Sequence, residues 1–280
     1  MIGSSRVGMH MGAARYPQAP PYHPDTVYAE YPFGSRAVSD EGNAAYAAVR
    51  GAFALLEMDA AHAGTKSWNP LGGMVRPGDK VVLKPNFVRD FRESSPAHAD
   101  CVVTHGSVIR AVVDYVYIAL SGRGRIVIAD APQNDADFGA LRRIAGLDEL
   151  CWFYRSAVGF DVEVYDLRPE VARKVDGVIV GHTKQPGDPD GYVKVNLSLR
   201  SAFREINHLC HLLYGSEYDM SALHRHQHDD THEYLISGTV LRADCVISMP
   251  KLKTHKKVGL TVNMKNLVGI NGDKNWLPHH

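Results

Sequence analysis

The sequence predicts an α/β fold of Rossmann-like type, a mostly parallel sheet flanked by helices. Three observations predict it. Short β-branched runs recur at Lys80–Leu83, Arg125–Ala129, Asp161–Tyr165 and Asp244–Met249. Apolar stripes at helical spacing separate the first three of them. The resulting order of strand, helix, strand, helix, strand implies right-handed crossovers and a sheet covered on both faces.

Taken in order, residues 1–40 are rich in Pro, Gly, Tyr and Ala without any period, and read as an irregular arm over the surface. Residues 41–280 are expected to form a single α/β domain. Ala45, Val49, Ala52 and Leu56 predict a helix within 41–59. A loop from Gly64 to Gly78 leads into the first strand. Thr104 is the expected cap of a helix over 105–120, whose stripe is Val108, Val112, Val116 and Leu120. Gly122-Arg-Gly124 ends that helix, and Asp130-Ala-Pro132 closes the second strand. Residues 138–155 again read as helix. Val178–Val180 and Tyr192–Val195 flank a Gly/Pro/Asp loop, which reads as a hairpin or as an insertion at the sheet edge, spanning about 181–240. Pro250 ends the last strand, and a Lys-rich loop leads to a predicted helix near 259–268. The final Leu277-Pro-His-His280 reads as an interior segment of a longer, truncated protein.

Composition narrows the function. The 280 residues carry 31 Lys+Arg and 31 Asp+Glu, with 45% hydrophobic and 22% charged residues. Zero formal charge argues against a general nucleic-acid binder. No apolar run approaches the roughly 20 residues of a membrane helix. Met1 to Pro24 lacks the apolar region of a secretory signal, so the cytoplasm is the expected compartment. Four cysteines lie far apart with no Cys-x-x-Cys, so neither a zinc knuckle nor an iron–sulfur cluster is expected. Cys101, Cys151 and Cys245 adjoin apolar residues and are expected to be buried thiols.

In open parallel sheets, ligands bind beyond the carboxyl ends of the strands. Here three predicted strands end in chemically able residues: Lys84-Pro-Asn86, Asp130-Ala-Pro132-Gln133-Asn134-Asp135 and Lys251-Leu-Lys253-Thr254-His255-Lys256-Lys257. From Cys245 to Gly272 there is no Asp or Glu, but five lysines and His255. A lysine held among apolar residues, as Lys265 is, can bind an anion or act as a nucleophile. Asp130 can orient a lysine, bind a metal or cap its own turn. His224, His226, His228 and His232 cluster beside Asp229, Asp230 and Glu233, and suit a metal or an exposed polar loop. His279 and His280 form another pair. Glycine-rich nucleotide loops and a Gly-x-Ser-x-Gly elbow are absent from the sequence.

The string Asp244-Cys-Val-Ile-Ser-Met-Pro-Lys-Leu-Lys-Thr-His255, continuing through Lys265-Asn-Leu-Val-Gly-Ile-Asn-Gly272, resembles the domain-of-unknown-function family 362 (DUF362). So does Val82-Leu-Lys84-Pro-Asn86 followed by a helix and Val127-Ile-Ala-Asp130. The resemblance covers roughly 80–280 and implies an α/β fold. Some relatives carry an appended ferredoxin-like cluster domain, whose cysteines this chain lacks. More distantly, the chain is similar to nickel-dependent lactate racemases. They carry a His ten residues before the Lys that bears their nickel-pincer cofactor, and a further His ligand downstream. Here His255 precedes Lys265 by ten and His280 follows by fifteen. Thr261-Val-Asn-Met264 stands where the racemases have Ser-Gly-Gly-Arg.

Three readings follow. The first is an enzyme acting on a small anionic metabolite, a carboxylate or phosphate ester. Lys84, Asn86, Lys253, Thr254 and Asn266 would bind substrate. His255 would transfer protons, Lys265 would be electrophilic or covalent, and Asp130 would orient a partner. The second is a nickel, zinc or iron protein with His255, His279 and His280 as ligands and His228 as a further candidate. The third is a non-catalytic module that binds a sugar phosphate or a partner protein through the lysine-rich face.

Overall fold

The computed structural model describes residues 6–13, 15–91, 101–255 and 259–279. Its elements run α1 (Ala44–Leu55), β1 (Lys80–Pro85), α2 (Gly106–Leu120), β2 (Arg125–Asp130), α3 (Phe138–Ile144), α4 (Leu147–Val158) and β3 (Val162–Asp166). There follow β4 (Glu170–Val175), β5 (Val178–Lys184), β6 (Tyr192–Asn196), α5 (Ser221–His226), β7 (Gln227–His228), β8 (Thr231–Ser237) and α6 (Gly238–Leu241). The chain ends with β9 (Cys245–Met249), β10 (Lys253–His255), β11 (Gly259–Thr261) and α7 (Asn263–Asn266).

The main sheet has the order β3-β2-β1-β9 and every pairing in it is parallel. The α/β class with a parallel sheet is therefore as the sequence predicts. Side chains alternate across it. Val81, Leu83, Ile126 and Ile128 pack with Ile109, Val113 and Val116 of α2 on one face. Val82, Val127 and Ala129 meet Leu167 and Val240 on the other. From β1 the chain runs outward to β2 and β3, then returns to β9 on the other side. The crevice beyond β1 and β9 is thus where strand order reverses, the usual ligand position in open α/β sheets. Thr104 fastens it: its Oγ1 accepts from Asn86 N (2.9 Å) and donates to the Met249 carbonyl (2.7 Å).

Several expectations change. Thr104 is not the cap of α2; His105 is, its Nδ1 accepting from Ser107 N at 3.1 Å. The helix expected over 138–155 is two, broken at Gly146 with φ +60°, where a Cβ would stand 2.6 Å from Pro20 Cβ. The strand at 178–184 pairs with β4, not with Tyr192–Asn196, which pairs with β8. The helix expected near 259–268 begins as β11, which pairs with β10 before the short α7. Cys210 is buried, whereas Cys101, Cys151 and Cys245 are only half-buried.

The N-terminal arm is irregular but partly internal, with Tyr22 and Tyr31 buried. Arg110 and Asp114, one turn apart on α2 and fully buried, form an ion pair at 2.7 Å. Arg110 also donates to Pro21 O (3.1 Å), His23 Nδ1 (3.1 Å) and Tyr31 Oη (3.0 Å). Asp114 accepts from the hydroxyls of Tyr46 and Tyr154. The arm is therefore held by a charge the core must neutralise. Among the described residues, no helix is long and apolar enough to cross a membrane.

Candidate functional site

β1 places Lys84 on the same side of the sheet as Val82, because side chains repeat every second residue. There the strand ends and the ammonium is almost wholly buried. Its Nζ lies 2.7 Å from Asp130 Oδ1, 2.6 Å from the Pro85 carbonyl and 3.2 Å from Asn266 Oδ1. The Pro85 and Asn266 oxygens accept hydrogen bonds from the ammonium, and the Asp130 contact is an ion pair. Burial lowers the Lys84 pKa, and the Asp130 carboxylate opposes that shift. Asp130 Oδ2 accepts from Phe87 N at 2.7 Å. Asn266, from α7, closes the group by donating to the Lys84 carbonyl (2.8 Å) and to Ser248 Oγ (3.0 Å).

Gly269 covers this pair. A Cβ there would fall 1.9 Å from Asp130 Oδ1 and 2.5 Å from Lys84 Nζ. Its carbonyl accepts from Ala131 N at 2.8 Å. Only a residue without a side chain lets the 3₁₀ turn Leu267–Ile270 sit so close to β1 and β2.

The β10–β11 hairpin forms another wall. Lys253, His255 and Thr261 line a cavity of about 390 Å³, whereas Leu252, Thr254 and Leu260 lie off it and are exposed. This is the alternation of a strand pair with one inner and one outer face. Lys253 donates to Asn86 Oδ1 (3.2 Å) and to the Val102 carbonyl. Burial and the neighbouring Lys251 push its pKa down to about 8. His255 is also lowered, by burial and then by the charges of Lys265 and Lys253, so its neutral imidazole is favoured.

Of the residues singled out in the sequence, Lys84, Asn86, Asp130, Lys253, His255, Lys265, Asn266 and His279 all line this one cavity. Thr254 does not, because it stands on the outer face of the hairpin. His280 lies outside the described residues, as do Lys256 and Lys257. Asp135, at the end of the segment after β2, lines it too, and sequence reasoning missed Arg89, Lys174 and Lys274, which line the same cavity. Asp135 is held by Lys174 (2.7 Å) and Arg89 (3.1 Å). Lys274 is buried and donates to the carbonyls of Val268 (3.0 Å) and Asn271 (2.7 Å). Burial, foremost, pushes its pKa down to about 7. Nothing in the local string Asn271-Gly-Asp-Lys274 announces that burial; it comes from the fold.

The histidine-rich segment is neither all helix nor all strand. His226 stacks on Trp276 with ring centroids 3.4 Å apart and meets Glu233 at 2.8 Å. His232 is buried against Asn207 (2.9 Å), His224 faces the Leu213 carbonyl, and His228 is exposed. Among the described residues, no group of three or more His, Cys, Asp or Glu side chains is placed to hold a metal ion.

Comparison with known proteins bears on the family. Over 203 residues the chain is 25% identical to the thylakoid-associated protein sll1697 of Synechocystis sp. (strain ATCC 27184 / PCC 6803 / Kazusa), a match covering 71% of this chain and 42% of that protein. The chain thus spans less than half the length of this curated relative. No solved structure matches the chain. The family described as domain of unknown function (DUF362) matches residues 81–188 and 199–280, which take in β1, β2, β9 and the cavity walls at their ends. The chain belongs to the DUF362 family.

Proposed function

We propose that the cavity is the active site of an enzyme acting on a small anionic metabolite, a carboxylate or phosphate ester. One observation carries this reading. The wall holds Lys84, Arg89, Lys174, Lys253, Lys265 and Lys274 against two carboxylates, Asp130 and Asp135. Both carboxylates are already paired with cations on that wall. The remaining positive field has a low-dielectric surround and draws an anion inward. In this reading Lys253 and Lys265 hold the anion, and the side-chain NH2 of Asn86, whose Oδ1 already accepts from Lys253, fixes its orientation. His255 moves the proton, since a neutral imidazole accepts one. Asp130 keeps Lys84 in place.

The test is binding followed by product analysis. Carboxylated and phosphorylated metabolites are screened by thermal shift against their neutral analogues, and the compounds that bind are assayed for conversion. Saturable, salt-sensitive stabilisation by anions alone, weakened on the order of tenfold by Lys265→Ala, is expected. Equal response to neutral analogues overturns the reading. Binding with no conversion of any bound compound favours the non-catalytic module.

A metal protein is the second reading, favoured by the presence of both His255 and His279 on the cavity wall. Two imidazoles are fewer donors than a closed site needs, so the lactate-racemase resemblance rests on the His255–Lys265 spacing. Elemental analysis of protein purified without chelator separates the two readings. The cytoplasm is the compartment we propose; the relative's name, thylakoid-associated, offers another, and cell fractionation decides between them.

A further inference from the structure

We propose that the outer face of the β10–β11 hairpin, with the α7 turn that follows it, docks on the surface of an anionic lipid bilayer. The contact is peripheral and lies on the side of the hairpin away from the cavity. It therefore stands independently of the anion-site reading.

The hairpin is inverted relative to an ordinary covering ribbon, which turns its apolar face inward. Side chains alternate along each strand, and directly paired residues share a face. Lys253 pairs with Thr261 and His255 with Gly259; in this row Lys253, His255 and Thr261 line the cavity. Thr254 pairs with Leu260, and this row turns to solvent, with Leu260 51% exposed. Leu252 and Val262, next to the two ends of the ladder, are exposed as well, Leu252 by 68%. The polar residues stand inside because the cavity needs them there, and the aliphatic residues are left outside. The chain then enters α7, where Met264 and Leu267 lie three residues apart on one side of the turn and are 87% and 46% exposed. None of these five aliphatic side chains is buried by the fold, and exposed apolar surface gathered in one stretch of chain marks a contact surface.

Charge selects the occupant. From Cys245 to Gly272 the chain carries five lysines and no Asp or Glu, so the field around this stretch is positive. A second copy docking by the same face would bring two such fields together, as a two-fold contact must. Protein interfaces favour Arg and aromatic residues and are poor in Lys. This stretch has lysines, no Arg, and no Phe, Tyr or Trp. Aliphatic groups interspersed with lysines suit the headgroup region of a bilayer, where the former reach the acyl boundary and the latter meet anionic headgroups. Lys253 and Lys265 are committed to the cavity wall, so among the described residues Lys251, beside Leu252, is the ammonium placed for headgroup contact, and the others add to the field.

The experiment is vesicle sedimentation with the full chain. Vesicles of phosphatidylcholine alone are compared with an equimolar mixture of phosphatidylcholine and phosphatidylglycerol. The chain should sediment with the mixed vesicles only, and added salt should release it. Leu260→Gln and Met264→Gln keep the charge and should each weaken the partition on the order of tenfold, the effect of withdrawing one aliphatic side chain from an apolar environment. Both positions are exposed, so the thermal midpoint and the response to small anions should not change. Trp152→Gln is the control. That residue is 71% exposed on α4, which packs on β3 at the sheet edge opposite β9, and its loss should leave the partition as it is. No sedimentation with the mixed vesicles overturns the inference and leaves the anion site standing. Equal sedimentation with phosphatidylcholine alone overturns it, as does full binding by both hairpin variants or an equal loss in Trp152→Gln. A dimer in vesicle-free buffer that Leu260→Gln dissociates assigns the face to a second copy and also overturns it. A chain that binds the mixed vesicles but responds to no small anion removes the anion-site reading alone.

Discussion

Lys84 Nζ stands 2.7 Å from Asp130 Oδ1, and the two side chains are 1% and 4% exposed. The pair joins the ends of β1 and β2 and forms the floor of the cavity. Burial of two charges is tolerated because each has further partners, Pro85 O and Asn266 for the lysine and Phe87 N for the aspartate. Removing one partner leaves the other charge uncompensated. Lys84→Met should therefore cost about 3–5 kcal/mol. Denaturant unfolding measures it, and a loss within about 1 kcal/mol of zero would show that Asp130 is relieved by some other group.

Gly269→Ala probes the same pair from above. The added Cβ would fall within 1.9 Å of Asp130 Oδ1 and 2.5 Å of Lys84 Nζ. The obstructing atoms belong to a buried ion pair, not to a flexible surface chain, so the turn itself must shift. A destabilisation of about 1–3 kcal/mol is expected, with weaker anion binding. An alanine variant of unchanged midpoint and affinity would mean that the 3₁₀ turn is free to move.

The parallel strands were legible in the sequence because burial on both faces demands continuous β-branched runs, as in Val81-Val-Leu83 and Ile126-Val-Ile128. β4 was not, since Glu170-Val-Ala-Arg-Lys-Val175 is largely exposed and charged. The break at Gly146 was hidden because the periodic stripe continues past it; contact with Pro20 and Tyr22 decides it. At the cavity, residues next to strand ends could be found from the chain order alone. Lys274 and Lys174 could not, because their positions come from segments folded back over the sheet. Thr254 shows the opposite error: membership of a promising string does not say which face of a hairpin a residue takes.

Arg110 ties the arm to the core. Arg110→Met removes the partner of Asp114 and the donors to Pro21, His23 and Tyr31. A loss of about 3–5 kcal/mol is expected for the broken buried pair. Hydrogen exchange should rise first in residues 21–31, ahead of the sheet. Uniform acceleration across the whole chain would show that the arm and the sheet unfold as one unit.

His23 makes that anchor sensitive to acid. Burial, then the Arg110 charge, lowers its pKa from 6.5 to about 4. Between those values the unfolded chain binds more protons than the folded one, so stability falls as pH falls. The contribution is complete above about pH 6.5 and is lost by about pH 4. His23→Gln should flatten the stability profile in that window. A variant whose acid profile parallels the natural protein would exclude His23 as its source.

Lys274 acts in a separate window with the same sign. Its pKa falls from 10.5 unfolded to about 7 folded, chiefly through burial. Between these values the unfolded chain again holds the extra proton, so this group's contribution rises with pH and is complete only above about 10.5. Lys274→Met removes the titration but leaves the Val268 and Asn271 carbonyls without their donor, at a cost of about 1–3 kcal/mol. The titration outweighs that cost, so the natural protein should exceed the variant in alkaline buffer and fall below it as pH approaches 7. Titrations elsewhere are common to both chains and cancel in the difference. A constant difference from pH 7 to 10 would mean that Lys274 is an ammonium throughout.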